Sequence, residues 1–333
     1  MSQGIKDFGT TPRELRALYA PIREDLNEVE RVLRGELTSR YPFVDSLVKH
    51  GFRFGGKRLR PALVLLSGKA CGGLKPEHPV LGAAVEMIHT ATLIHDDVLD
   101  EATLRRHLDT VNARWDNEAS VLLGDYLFTR AITLASSLES TFACRAIGEA
   151  GKAMCEGELR QIEARGNYEL SEEDYLDIIA GKTAALCACC CRLGAHYAGA
   201  DPDRREAYAR FGQNLGIAFQ VVDDLLDVLG DEATTGKSMG TDLIKQKPTL
   251  PVIRLLSQVN GSERAELLAI LSRPDDQRRQ ALKLRLDDSD AISYVRQKAI
   301  WFARRACEQL SGLATTADEA LRQLAEFVVT RRH

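Results

Sequence analysis

The chain has 333 residues, and its 44 basic and 48 acidic side chains give a net charge of −4. A slightly acidic protein with dispersed basic residues is not typical of nucleic-acid-binding proteins. Hydrophobic residues make up 44% and aromatic residues only 6% of the sequence, which is typical of helical proteins. Charge, Gly or His interrupts each apolar run before the roughly 20 residues that a transmembrane helix needs. We therefore expect no stable membrane insertion, and residues 1–12 contain no apolar signal-peptide segment.

Four of the eight cysteines lie in one stretch, Cys187-Ala188-Cys189-Cys190-Cys191. Adjacent cysteines on a helix point in different directions, so they form a poor disulfide framework. We interpret them as buried, reduced thiols, with metal binding as the alternative. Reduced thiols favour a cytoplasmic protein.

Helical periodicity dominates the sequence, and no stretch alternates long enough to predict a sheet. The pattern predicts a helical segment over 13–37, a Gly-rich break at 51–56 and a helix over 57–72. Residues 230–248 are predicted to form a loop because Gly, Thr, Asp and Lys are abundant there. Further helices are predicted over 78–100, 118–138, 142–162, 173–197, 204–229 and 249–257. Since no change in composition separates the two halves, we predict one all-α domain spanning the whole chain.

Two acidic motifs of the same spacing follow strongly apolar helix segments. They are Asp96-Asp97-Val98-Leu99-Asp100 and Asp223-Asp224-Leu225-Leu226-Asp227. The first and last aspartates of each motif lie one helical turn apart, with Cβ atoms about 5–6 Å from each other. Such like charges repel unless a cation compensates them. Oxygen ligands without nearby Cys or extra His suit Mg²⁺, which typically uses one or two carboxylates plus substrate phosphates.

A solvated acidic helix face would be the ordinary explanation for one such motif. Two motifs of identical spacing, each at the end of an apolar helix, make metal binding the better interpretation. Positive charge accompanies both motifs, and Arg in particular suits bidentate contacts to phosphate. The accompanying cations are Lys57, Arg58, Arg60, Arg105, Arg106, Lys182, Lys237 and Lys247. Together with carboxylates that hold Mg²⁺, they are the groups that two diphosphates would need.

The joint pattern resembles the trans-isoprenyl diphosphate synthase family, also called the polyprenyl synthetase family, from about Phe43 to Leu255. It consists of GGKRLRP at 55–61, DDxxD followed by RR, KT at 182–183, and FQxxDDxxD at 219–227. The resemblance is greatest to the enzymes that make heptaprenyl, octaprenyl or nonaprenyl diphosphate. It implies an all-α helical bundle of the isoprenoid synthase type around a central apolar cavity. Such proteins are usually homodimers.

The resemblance also implies a role for each motif residue. Metal binding is implied for Asp96, Asp100 and Asp223, with Asp97 in support and Asp224 and Asp227 completing the second acidic rim. Isopentenyl diphosphate contacts are implied for Lys57, Arg60, His89 and Arg106. Allylic diphosphate contacts are implied for Arg105, Lys182, Lys237 and Lys247. Thr183 and Gln220 are implied to line the reacting centre.

Two positions depart from the pattern of the family. His107 and Gln246 stand where such enzymes often have Gly, the one residue that adopts positive φ at no cost. Because all the charged residues are present, we expect adjusted loops rather than lost activity. His89 has a second interpretation, since a histidine in an apolar helix is often a hydrogen-bonded core residue.

The implied reaction is the departure of an allylic diphosphate, attack on the resulting cation by isopentenyl diphosphate, and loss of a proton to the departing diphosphate. In the family, the residues four and five positions before the first motif help to form the floor of the product tunnel. Here they are the small residues Thr92 and Ala91, and Ala84 lies about two turns below Ala91. We therefore predict a heptaprenyl to nonaprenyl all-trans product. Met87 or Ile88 could close the tunnel earlier.

Three alternatives remain at this point. One is a farnesyl or geranylgeranyl diphosphate synthase with a shorter product. Another is a terpene cyclase, which also uses DDxxD and Mg²⁺, but its second metal motif generally mixes Asn, Ser or Thr with Glu. The third is a non-catalytic partner subunit of a prenyl synthase, which would be recognised by lost aspartates, and none is lost here.

Overall fold

The structure of the protein is a computed structural model that describes residues 13–331, except 54–55, 230–240, 274–276, 311 and 313. Helices account for most of the described residues, which confirms the all-α prediction. In the first half they are α1 (Arg13–Leu18), α2 (Arg23–Glu36), α3 (Pro42–Phe52), α4 (Leu59–Ala70), α5 (Glu77–Leu99), α6 (Val111–Arg114), α7 (Asn117–Ser136) and α8 (Phe142–Glu163).

The second half continues with helices of similar length. They are α9 (Glu172–Ile179), α10 (Ala185–Tyr197), α11 (Pro202–Leu229), α12 (Thr241–Ile244), α13 (Leu250–Gln258), α14 (Gly261–Leu271), α15 (Gln277–Asp287), α16 (Ala291–Gln309) and α17 (Thr316–Thr330). A π-helical turn, Ala180–Ala184, connects α9 to α10. Over the described ranges, the one sheet is a hairpin of β1 (Leu104–Arg105) and β2 (Leu108–Asp109), in which Leu104 pairs with Asp109.

Three local predictions needed correction. The segment predicted as one helix over 173–197 is divided by the π turn. Helix α3 was not predicted, although it contains the apolar residues Phe43, Val44, Leu47, Val48 and Phe52; it begins after a break at 37–41. The loop predicted over 230–248 contains α12, and residues 230–240 of it lie outside the described part.

The chain divides into two compact units. The first unit takes its described residues from Met1–Glu149, Leu186–Ala209 and Leu310–Leu324. Its central helix is α5, which is buried almost continuously and packs against α2, α4 and α7. Gly82 permits a close approach there, since a Cβ atom would lie 2.9 Å from Val29 Cγ2. The apolar run that precedes the first acidic motif is therefore the core of this unit.

The second unit takes its described residues from Ala150–Ala185, Arg210–Gln309 and Ala325–His333. Its apolar cluster is built largely from α13, α14 and α15. The buried members are Val228, Leu243, Val252, Leu255, Leu256, Leu267, Ile270, Leu271, Leu282, Leu286 and Ala291. The single domain predicted for the whole chain stays a prediction.

One segment, Glu172–Tyr197, is long and apolar enough to cross a membrane by length and composition. Of its most apolar window, 67% is buried inside the protein, as in the core helix of a globular protein. Its four clustered cysteines are buried free thiols, as predicted. Burial raises the pKa of the Cys189 thiol to about 12, so this thiol is a poor nucleophile or metal ligand.

Candidate active site

The first acidic motif closes helix α5. Asp96 lies in its last turn, and Asp100 caps the helix, with its backbone N–H donating to the Asp96 carbonyl oxygen over 2.8 Å. Both side chains are partly exposed, whereas Asp97 is only 1% exposed. The motif thus presents its first and last carboxylates towards solvent and its middle carboxylate towards the protein, as helical spacing requires.

The middle carboxylate binds Arg105 of the following hairpin. Arg105 Nη2 lies 2.7 Å from Asp97 Oδ1, and Arg105 Nε donates to the same oxygen over 2.9 Å. Sequence reasoning assigned Arg105 to the allylic diphosphate. In the structure its guanidinium is engaged by a buried carboxylate, because the β1–β2 turn folds back onto the end of α5. Arg105 therefore anchors the hairpin to the first motif.

The turn of this hairpin adopts left-handed backbone. Arg106 has φ 51° and His107 has φ 63°. His107 is one of the two positions at which Gly was expected, so the local conformation that Gly favours is present without Gly. Holding a non-Gly residue there costs about 1 kcal/mol or more, which the Asp97–Arg105 ion pair helps to offset.

A group of cations surrounds His89 in the middle of α5. Arg60 Nη1 donates to His89 Nε2 over 3.1 Å. Burial, followed by the positive charges of Arg60 and Arg106, holds the pKa of His89 well below its usual range. The imidazole is therefore neutral and accepts a hydrogen bond from Arg60. Three of the four residues implied to bind isopentenyl diphosphate therefore interact in the first unit, and Arg60 and Arg106 lower the pKa of His89.

The loop before α4 closes around the same group. A Cβ atom at Gly56 would lie 3.4 Å from Arg106 Nη1, so this glycine leaves room for the guanidinium. Burial and the nearby Arg105 lower the pKa of Arg106, and the negative charge of Glu86 opposes that effect. Lys57, the fourth implied ligand, accepts a hydrogen bond at its carbonyl oxygen from the Tyr19 hydroxyl over 3.0 Å.

Arg58 was not assigned a role from the sequence, although it lies within GGKRLRP. Its side chain is 6% exposed, and its backbone is left-handed with φ 51° at the N-cap of α4. Its Nε and Nη1 atoms donate to Glu30 and Glu86 over 2.6 and 2.7 Å. Arg58 is therefore a structural cation paired with two acids, and it lies between Lys57 and Arg60 in the sequence. Only the presence of Glu30 and Glu86, each 28 positions from Arg58 in the sequence, could have indicated this pairing.

Protonation of His89 is expected to destabilise the free protein. Since the folded pKa is depressed, the unfolded chain binds more protons below pH 6.5, and stability falls as pH falls. Between pH 7.5 and pH 5.5 the contribution is about 1 kcal/mol. Urea unfolding of the wild type and of His89→Gln at both pH values measures it. An equal pH dependence in both proteins would contradict the buried, neutral histidine.

The positions expected at the tunnel floor lie on the buried part of α5. Ala84 and Met87 are 0% exposed, and Ile88 and Ala91 are 1% exposed. Thr92 is partly buried and donates its hydroxyl to the His89 carbonyl oxygen over 2.9 Å. All but Thr92 therefore belong to the interior of the first unit, and their role in chain length remains a prediction.

The second acidic motif lies on α11 in the second unit. Asp223 and Asp227 are partly exposed, but Asp224 is 4% exposed. Its carboxylate accepts hydrogen bonds from the Tyr175 hydroxyl and from Gln220 Nε2, each over 2.7 Å. Helix geometry turns the second residue of the motif inwards, and the expected role of Asp224 in the acidic rim stays a prediction.

Thr183 and Gln220, the two residues expected at the reacting centre, extend the hydrogen bonds of Asp224. The Thr183 hydroxyl donates to Gln220 Oε1 over 2.8 Å. Burial, together with the negative charges of Asp242 and Asp223, raises the pKa of Asp224, whereas the hydrogen bonds from Tyr175 and Gln220 stabilise the carboxylate and oppose that rise. Tyr175 was missed from the sequence, where a single tyrosine on a helix gives no functional signal.

Asp223 has a partner from the end of the chain. Arg331 Nη2 lies 2.7 Å from Asp223 Oδ1 and donates to the Phe219 carbonyl oxygen over 2.9 Å. The guanidinium carbon also lies 3.9 Å from the centroid of the Phe219 ring, a cation–π contact. A cation therefore already compensates the carboxylate that was expected to bind metal. Arg332 and His333 lie outside the described residues.

Lys182 and Thr183 lie in the π turn. The Lys182 ammonium pairs with Glu158 and donates to Gln161 Oε1 over 2.8 Å. A Cβ atom at Gly157 would lie 2.4 Å from the Lys182 backbone nitrogen, so α8 approaches the turn at a glycine. A π turn that carries two implied site residues is typical of functional positions in helices. Neither Glu158 nor Gly157 was identified from the sequence.

The segment after the second motif brings Asp227 and Lys247 to Asp242. The Asp242 backbone N–H donates to Asp227 Oδ2 over 3.2 Å, and Lys247 Nζ lies 3.4 Å from Asp242 Oδ1. Asp242 was missed by sequence reasoning. Gln246 has φ 53°, so the second position at which Gly was expected also keeps left-handed backbone. Lys237 lies outside the described residues.

A cavity of about 630 Å³ lies beside the π turn in the second unit. Its lining includes Gly157, Gly181 and Gln213 together with the charged residues Arg160 and Asp177. This lining is mixed rather than apolar. The central apolar cavity implied by the resemblance therefore stays a prediction.

The acidic residues of the first motif suit a metal ion that binds together with the phosphates of the substrate. Over the described ranges, no group of three or more His, Cys, Asp or Glu side chains could hold an ion by itself. Mg²⁺ usually keeps several waters and takes one or two carboxylates plus substrate phosphates. Asp96 and Asp100, with oxygen donors only and both partly exposed, match that donor set.

The fold and these motif positions define a prenyl diphosphate synthase. Residues 42–286 match the family model described as polyprenyl synthetase, and the chain belongs to this family.

Individual relatives agree with this assignment. The chain is 35% identical to an all-trans-nonaprenyl-diphosphate synthase (geranyl-diphosphate specific) of Rhodobacter capsulatus, over 94% of this chain and 97% of that one. It is 31% identical to heptaprenyl diphosphate synthase component 2 of Bacillus subtilis, over 98% and 93%. A crystal structure of a polyprenyl synthase from Caulobacter crescentus, complexed with calcium and isoprenyl diphosphate, superposes with a TM-score of 0.91 and 34% identity, over 96% and 98%.

Proposed function

We propose that this chain condenses isopentenyl diphosphate with an allylic diphosphate in a Mg²⁺-dependent reaction, and that its product is a heptaprenyl to nonaprenyl all-trans diphosphate. One observation carries the proposal. The cations Arg60 and Arg106 lie beside the neutral His89 of α5, and the end of the same helix presents Asp96 and Asp100. This arrangement along α5 supports a cationic site for one diphosphate and carboxylates for the metal of another.

The residues of the first unit have separate tasks in this proposal. Arg60 and Arg106 bind the diphosphate of isopentenyl diphosphate, and His89 gains a proton or a hydrogen bond as that anion relieves the repulsion around it. Asp96 and Asp100 orient the allylic diphosphate through Mg²⁺. When bound, Mg²⁺ supplies charge stabilisation of the leaving diphosphate.

The resemblance to the family assigns the residues of the second unit to the allylic diphosphate and to the reacting carbon. Asp223, which pairs with Arg331 in this structure, would hold metal, and Lys182 and Lys247 would donate to the allylic diphosphate. Thr183 and Gln220 contact the reacting centre. No protein base is required, since the departing diphosphate accepts the proton.

We also propose a cytoplasmic homodimer. Val121 and Leu122 are adjacent on α7 and are 42% and 67% exposed. Neighbouring exposed aliphatic side chains on one helix favour burial against a second copy. Light scattering of the wild type and of Leu122→Glu measures this. A dimer that uses this face dissociates in the variant, whereas a dimer that uses another face stays intact.

The experiment is an incubation of the purified protein with isopentenyl diphosphate, Mg²⁺ and, in separate reactions, geranyl or farnesyl diphosphate, with products separated by length. We expect a ladder that ends at heptaprenyl to nonaprenyl diphosphate, and no product when a chelator replaces Mg²⁺. Termination at farnesyl or geranylgeranyl diphosphate would keep the reaction and contradict the long tunnel.

Absence of condensation with every starter would instead favour a required partner subunit. The similarity to a protein called component 2 makes that outcome a specific alternative. Adding the other component of such a system would then restore turnover if the chain is one half of a two-component enzyme.

A further inference from the structure

The hydrogen bond between Tyr175 and Asp224 has no part in the mechanism above. Tyr175 lies on α9 and is 3% exposed, and Asp224 lies on α11 and is 4% exposed. The Tyr175 hydroxyl donates to Asp224 Oδ2 over 2.7 Å. Burying a carboxylate is costly unless donors satisfy it, so the pair needs an explanation.

The other carboxylate oxygen determines the orientation of a neighbouring amide. Asp224 Oδ1 accepts from Gln220 Nε2 over 2.7 Å. If the Gln220 amide were reversed, its oxygen would face the carboxylate and the two would repel. Asp224 therefore fixes the NH₂ group of Gln220 towards itself and leaves Gln220 Oε1 on the opposite side.

That oxygen in turn determines what Thr183 can do. Gln220 Oε1 accepts the Thr183 hydroxyl proton over 2.8 Å. With its proton engaged, Thr183 Oγ1 offers only lone pairs to anything else that approaches. Lone pairs, and not a donor, are what an electron-poor allylic carbon requires nearby.

We propose that Tyr175 is a positioning residue for the condensation, acting through Asp224 and Gln220 to keep the Thr183 oxygen as an acceptor. This inference rests on the proposed function and deepens it. Tyr175 touches no substrate. Its hydroxyl holds the Asp224 carboxylate, the carboxylate orients the amide, and the amide engages the hydroxyl proton of Thr183.

The simpler explanation is that Tyr175 only fastens α9 to α11. A comparison of two tyrosines separates the explanations. Tyr294 also donates its hydroxyl to a carboxylate over 2.7 Å, that of Glu172 in the first turn of α9. Tyr294→Phe therefore removes a hydrogen bond of the same length to the same helix, from a partly exposed tyrosine, and leaves the Asp224–Gln220–Thr183 chain intact, which makes it the control.

Steady-state kinetics of both variants, normalised to folded protein, form the test. For Tyr175→Phe we expect kcat to fall about tenfold or more, while KM for each diphosphate changes less than about threefold. For Tyr294→Phe we expect wild-type kcat. Wild-type kcat in folded Tyr175→Phe, or an equal loss in both variants, would overturn the proposal.

Asp224→Asn provides a second route to the same question. Its carboxamide can still accept from Tyr175, but its NH₂ group would turn the Gln220 amide round and present Nε2 to Thr183. We expect a loss of kcat as large as that of Tyr175→Phe, and a double variant no worse than either single one. Additive losses would overturn the proposal. Failure of the wild type and of Tyr294→Phe to condense, even with the other component of a two-component system added, would overturn the proposed function itself, a different result.

Discussion

Replacing Asp96 with alanine is expected to lower kcat by a factor of about 1,000 or more and to leave the helical fold intact. Loss of a metal-held leaving group removes several kcal/mol of transition-state stabilisation, and each 1.4 kcal/mol corresponds to about tenfold. Asp96 is partly exposed in the last turn of α5, and alanine is the best helix former, so folding does not depend on it. Product formation at saturating Mg²⁺ and circular dichroism measure the two effects.

Two further variants make this result specific. Glu149→Ala removes an exposed carboxylate from α8, outside both motifs, and should retain wild-type kcat. Asp97→Ala leaves Arg105 without its buried partner and should cost about 3 kcal/mol of unfolding free energy. Near-wild-type turnover in Asp96→Ala would contradict the metal-binding role. Equal stability of Asp97→Ala and the wild type would contradict the structural role of Asp97.

Replacing Ala91 with phenylalanine is expected to move the product distribution to shorter chains. A ring at this position fills the interior beside α5 and would block a growing prenyl chain near the first motif. Because Ala91 is 1% exposed, the larger side chain also costs about 1–3 kcal/mol of stability. Product lengths are therefore compared for folded protein below the unfolding temperature.

The matched comparison is Ala84→Phe, which places the same ring about two turns further from the motif. Its products should be longer than those of Ala91→Phe and shorter than those of the wild type. If the chain passes along α5, the two variants give graded lengths. An unchanged distribution in Ala91→Phe would show that the chain takes another course.

His107 and Gln246 stand where enzymes of this family often have Gly, and adjusted loops were expected at both positions. Both residues have positive φ, 63° and 53°, the conformation for which Gly is preferred. Both positions thus adopt the left-handed backbone that Gly favours, with a side chain added. The sequence could indicate the unusual residue but not that the backbone stays left-handed, since that depends on the surrounding hydrogen bonds.

The sequence by itself determined the all-α class, most helix positions, the two acidic motifs and the identity of their accompanying cations. Helical periodicity and one-turn spacing are local properties, so they can be read without knowing what packs against each helix. Only the tertiary structure decided which of these charges are engaged with one another. Arg105 pairs with Asp97, Arg58 with Glu30 and Glu86, and Arg331 with Asp223.

The same limit explains why Tyr175 and Asp242 were missed. Each acts through a partner at least 15 positions away in the sequence, Asp224 for Tyr175 and Asp227 for Asp242. Whether a carboxylate binds a metal, a guanidinium or a hydroxyl depends on its burial and on the side chains that folding brings to it. The type and spacing of residues were sufficient to predict the chemistry, whereas the partners of each charge follow from packing.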